Sequence, residues 1–236
     1  MDPLAQRGMK VFGIGLQKTG TSSLEWLLRD RRIKCDGRNQ RMHKLFLNGQ
    51  YEEILAHYDT LTHSSDWPTP LMYKLVYNRY GKNVKFILTV RDSSRTWIES
   101  LKRHGAGSHP FKNKHKWTFK RYYPFGFENE HIAYYERHNQ EVVNFLKRND
   151  AEGQLLILEA GDPKSITKIE QFLDLSFDVD EMPHINRSAG KSRSLSKHIT
   201  MNLNRIILPI YAYLAPKVTS KVVEPVYEAD PERHRI

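Results

Sequence analysis

One lysine and four hydroxyl side chains crowd a single glycine in the stretch "VFGIGLQKTGTSSLEWLL", Val11 to Leu28: Lys18, Thr19, Gly20, Thr21, Ser22 and Ser23. An apolar run, a glycine-rich turn and a helix-like pattern follow one another there. That order exposes successive backbone N–H groups to an anion, and the helix N-terminus adds partial positive charge. Gly20 lets the backbone come close to the anion, and the hydroxyls supply further donors. An ATP-type loop requires G-x-x-x-x-G-K-S/T, with the hydroxyl after the lysine holding magnesium. Gly15 and Gly20 have that spacing, but Thr21 and Ser22 follow, and Lys18 stands inside the loop. The chemistry to expect is anion binding, with the lysine inside the loop and not after its last glycine.

A second cation stands at the end of "KFILTVRDSSRTWIES", where Arg91 and Asp92 follow the clearest apolar run of the chain. Arginine can hold a phosphate through two parallel hydrogen bonds. A structural ion pair between Arg91 and Asp92 is the competing reading. Among groups able to take a proton, His63 has the side chain whose ordinary pKa suits a base near neutrality.

The residues "QKTGTSSL" resemble the 5′-phosphosulfate loop of the PAPS-dependent sulfotransferases, whose members share the P-loop kinase architecture. A transferring sulfuryl group carries less charge than a γ-phosphoryl group, so one ammonium near the bridging oxygen can replace a metal. The resemblance implies PAPS (3′-phosphoadenylyl sulfate) as co-substrate, PAP as product and no metal. It makes Lys18 the residue that stabilises the departing phosphate. It also implies that Arg91, with Ser100 on the following helix, holds the 3′-phosphate. "SSDWPTP" resembles a small branch of the family in which D-x-P-T precedes the arginine strand, and there the aspartate is the base. Asp66 takes that role by resemblance, with His63 as fallback; an Asx-turn or helix cap is the plainer reading of Asp66. "PHINRSAGKSRS" resembles the late loop that closes over the 3′-phosphate, with Lys191 and Arg193 as its candidates.

The elements that must position these groups read as strands alternating with helices. Strands are expected at Lys10–Leu16, Asn83–Val90 and Leu155–Glu159, with a short one near Thr62. Helices are expected over Ser22–Arg31, 40–58, Leu71–Tyr80, Ser94–Arg103, Glu128–Asn149 and Pro163–Leu173. Such alternation implies a three-layer α/β fold around a central parallel sheet, the P-loop sulfotransferase fold by resemblance. Ligands then sit beyond the carboxyl ends of the strands, so the loops after Leu16, Thr62 and Val90 should share one site.

With 236 residues, the chain is read as a single sulfotransferase-like domain, with 195–236 a helical extension containing Pro209. That extension packs on the domain, mediates a homo-oligomer or, with no specific residue in favour of it, meets a membrane surface. The net charge of +10 favours anionic partners. Ser100 to Phe127 contains no Asp or Glu, and its cations alternate with aromatics. This basic loop reads as a lid or groove for an acidic acceptor such as an anionic saccharide, or as an exposed loop anchored by its aromatics. Nucleic-acid binding by charge and stacking is the disfavoured reading. A single cysteine, Cys35, fits a reducing compartment, and no stretch reaches the roughly 18 apolar residues of a membrane span. The localisation expected is cytoplasmic. The function expected is sulfuryl transfer to a hydroxyl or amine of a small-molecule or saccharide acceptor. The alternatives are a P-loop nucleotide or small-molecule kinase and a non-catalytic anion or nucleic-acid binder.

Overall fold

The computed structural model of the chain describes residues 1–37, 39–107, 119, 124–179, 181–182 and 195–214. These fall into two compact units. Residues 1–92 and 139–182 belong to one, and 93–138 and 195–214 to the other.

The first unit is built on five parallel strands: β1 (Lys10–Gly13), β2 (Cys35–Asp36), β3 (His63–Ser64), β4 (Val84–Val90) and β5 (Leu155–Glu159). Their order across the sheet is β2-β3-β1-β4-β5. Alternation along the strands divides the core in two. Phe12, Val84, Phe86 and Leu88 face one apolar layer, with Tyr58, Tyr73, Val76 and Leu146. Val11, Ile87 and Leu158 face the other, with Leu24, Leu27, Leu28 and Ile169. Both faces of the sheet are therefore covered, as near-continuous apolar strands require. The three-layer α/β architecture expected from the sequence is the one observed.

Helices α1 (Pro3–Gln6) and α2 (Thr21–Asp30) precede β2; α3 (Gln40–Leu47), α4 (Tyr51–Asp59) and α5 (Tyr73–Tyr80) lie between β2 and β4. The helix expected over 40–58 is two. Gly49, with φ of 71°, breaks it after the Asn48 cap, because only glycine enters that region without strain. The first strand stops at Gly13, short of the expected Leu16, because the chain turns at Gly15. A 3₁₀ turn, Thr69–Leu71, precedes α5. Pro163 stands before, not within, the helix α8 (Ser165–Leu173).

The second unit holds α6 (Ser94–Ala106), the start of α7 (Glu128–Arg148) and α9 (Leu195–Leu214). Ser93 caps α6, its Oγ accepting from the Thr96 N–H at 3.0 Å. Trp97 of α6 stacks on Tyr135 of α7 with ring centroids 4.4 Å apart. Ser100 lies on α6 and is buried.

Candidate functional site

Strand order decides which motifs meet. β3, β1 and β4 are adjacent and parallel, so the loops carrying Asp66, Lys18 and Arg91 leave neighbouring strands at the same edge. That edge is where ligands bind in open parallel sheets.

The loop between β1 and α2 is pressed onto β4. Ile14 donates its N–H to the Ile87 carbonyl at 2.9 Å, carrying the ladder one residue past the strand. At Gly15 the two chains nearly touch: a Cβ there would collide with Thr89 at its hydroxyl and at its carbonyl oxygen. The fully buried Thr19 hydroxyl lies 2.6 Å from the Leu16 carbonyl and 2.6 Å from Thr89 Oγ1, closing the loop on itself and on β4. Thr89 is not among the residues that the sequence motifs single out. Its signal is the position of a hydroxyl within the apolar run "FILTV".

Lys18 occupies the left-handed region at φ 74°, which a non-glycine residue enters only when its surroundings hold it. One restraint is Arg91, whose Nε donates to the Lys18 carbonyl at 2.6 Å. Gly20, at φ 105°, opens α2 and contributes no side chain to the first-turn N–H groups. Thr21, Ser22 and Ser23 form that first turn. Beyond β5, Ala160 donates its N–H to the Val90 carbonyl at 2.8 Å and stands beside Gly20.

The Asp66 loop is anchored from below. Thr69 is buried, its hydroxyl 2.8 Å from the Tyr58 hydroxyl and 3.0 Å from the Ser64 hydroxyl. Burial pushes the Tyr58 phenol well above its ordinary pKa, so it stays neutral. Asp66 itself has φ 64°; its Oδ1 accepts from the Trp67 N–H at 2.8 Å and its carbonyl from the Thr69 N–H at 2.8 Å. The turn reading of Asp66 is the one the hydrogen bonds show: its carbonyl and its half-buried carboxylate both accept from the N–H groups that follow.

His63 lies differently. It is fully buried in β3, and its Nδ1–H donates to the Val11 carbonyl at 3.0 Å. Burial depresses its pKa to about 4. An imidazole enclosed this way packs between strands, which leaves Asp66 as the base candidate at the sheet edge.

A neighbouring group carries no signal in the sequence motifs. Asp36, at the end of β2 and in register with Ser64, has Oδ2 2.6 Å from His57 Nε2 and 2.7 Å from Asn39 Nδ2. Cys35 beside it is held protonated, burial raising its thiol to about 12. Ser100 belongs to the second unit. Lys191, Arg193 and most of the basic loop lie outside the described residues. Among the described residues no three His, Cys, Asp or Glu side chains converge to hold a metal ion.

A family model described as "Sulfotransferase domain" matches residues 10–190. No curated protein matched the chain.

Proposed function

The chain belongs to the sulfotransferase domain family, and from that premise we propose that it moves a sulfuryl group from PAPS to a hydroxyl or amine of an acceptor. The observation that carries the reading is the loop Gly15–Gly20, seated on Thr89 and tied through the Lys18 carbonyl to Arg91. The loop ends in a glycine cap on α2, which suits an anion. No lysine follows Gly20 as the magnesium-holding G-K-S/T pattern requires, and the hydroxyl after Lys18, that of Thr19, is turned to the Leu16 carbonyl and Thr89.

PAPS supplies the sulfuryl group and leaves as PAP. Loop N–H groups and the hydroxyls of Thr21, Ser22 and Ser23 hold the 5′-phosphosulfate end. Arg91 binds the 3′-phosphate; Ser100, Lys191 and Arg193 are further candidates for it by the resemblance alone. Asp66 takes the proton from the acceptor oxygen or nitrogen as that atom bonds to sulfur. Lys18 stabilises the charge left on the phosphate oxygen when the sulfur–oxygen bond breaks. Holding both reactants aligned contributes further to rate.

Calorimetric titration with PAP and with ATP, each with and without magnesium, tests this. Tight PAP binding indifferent to magnesium is expected. Magnesium-dependent ATP binding with PAP ignored would move the chain to the kinases. Binding of neither, with salt-sensitive oligonucleotide binding instead, would make it a non-catalytic binder.

A further inference from the structure

The helix α9 has two apolar faces, and they differ in cover. Met201 and Leu208 are buried with Ala106 and Phe125, and Asn204 Nδ2 donates to the Ala106 carbonyl at 2.8 Å. On the other side Ile199, Leu203, Ile206, Ile207 and Ile210 are 47–67% exposed. At 3.6 residues per turn these five fall on one stripe about 100° wide, opposite the covered face. A continuous stripe of large aliphatic side chains marks an interaction surface, unlike scattered exposed leucines.

Charge selects the partner. From Met182 to Val223 the sequence contains no Asp or Glu, and seven Lys and Arg residues occur between Arg187 and Lys221. A second copy of this chain docking through α9 would add a second acid-free segment of the same positive sign, and like net charge opposes that pairing. A partner that is apolar inside and negative outside answers both features at once. We propose that α9 is a peripheral membrane-docking helix, its Ile199–Ile210 stripe seated in the interface of an anionic bilayer. The Lys and Arg residues that flank and interrupt the stripe in the sequence add charge of the sign an anionic surface attracts. The helix lies on the bilayer and does not cross it: among the described residues no helix is long and apolar enough to span a membrane.

Co-sedimentation of the full chain with vesicles tests the proposal, using phosphatidylcholine alone and phosphatidylcholine mixed with phosphatidylserine. Pelleting with the mixed vesicles, weakened by salt, is expected. The double variant Leu203→Asn, Ile206→Asn should lower the partition coefficient by about tenfold or more, since two aliphatic side chains no longer enter the apolar layer. Its thermal unfolding midpoint should not change, because both side chains are exposed in the folded chain. Equal binding to phosphatidylcholine alone, no binding to either vesicle, or pelleting indifferent to the substitutions would each overturn the proposal. So would a dimer by light scattering that the double variant converts to monomer, which would make a second copy the occupant.

Discussion

Arg91 Nε donates to the carbonyl oxygen of Lys18 across 2.6 Å, joining the end of β4 to the interior of the glycine-rich loop. The two cations read from separate motifs are therefore one mechanical unit. Lys18 keeps a left-handed backbone at φ 74° while its carbonyl is held by the guanidinium. Arg91 thus acts on the loop as well as on any phosphate it binds.

Removing that contact should be felt at the nucleotide even by a substitution that keeps the charge. Arg91→Ala is expected to weaken PAP binding by about ten- to a hundredfold, the range for a charge-assisted hydrogen bond. Arg91→Lys should recover only part of this, because lysine cannot reproduce a planar donor at Nε. Calorimetry would decide; full affinity in Arg91→Lys would mean that charge alone matters at this position.

Gly15 is expected to accept no side chain. In Gly15→Ala the new Cβ meets Thr89 at both its hydroxyl and its carbonyl oxygen, so the loop must lift from β4. Destabilisation of about 1–3 kcal/mol in urea unfolding is expected, as for other overpacked sites. Adding Thr89→Ala should not restore stability, since the backbone carbonyl stays in the way. Full rescue by the second substitution would show that the backbone approach is not the constraint.

Asp66→Asn separates the turn from the chemistry. Asparagine still accepts the Trp67 N–H that Asp66 Oδ1 accepts now, so the loop should survive. PAP affinity should stay nearly unchanged while turnover with an accepted substrate falls by about 10²–10⁴-fold, the contribution of a positioned base. Turnover near that of the parent chain would remove Asp66 from the mechanism.

His63 should make stability depend on pH. Its imidazole has an ordinary pKa of 6.5 and one of about 4 in the folded chain, so below 6.5 the unfolded chain binds a proton that the folded chain refuses. This contribution is fully present above pH 6.5 and is lost as pH falls toward 4. It amounts to roughly 3 kcal/mol at about 1.4 kcal/mol per pH unit. His63→Asn should flatten the profile by that amount across the same window. Parallel profiles for the two proteins in urea titrations would contradict the burial argument.

Much of this molecule was legible from local pattern. The runs "KVFG", "VKFILTV" and "LLILE" read as strands from local composition. The first two are buried, whereas the third, at the edge of the sheet, is buried only at Leu158 and leaves Ile157 half exposed, a difference that local pattern does not contain. Lys18, Gly20 and Arg91 stand out because each lies in the turn after such a run or at its end, whereas Asp66 is named through the family resemblance, its local pattern alone giving a turn. What local pattern does not contain is strand pairing. β2 and β3 are two residues each, too short for any periodicity, yet they place Asp36 beside Ser64 and set the edge on which Asp66 stands. Tertiary structure alone buried His63, because its enclosure depends on neighbouring strands that arrive from distant parts of the chain. The same long-range packing turned Thr89 from a polar interruption into the seat of the loop.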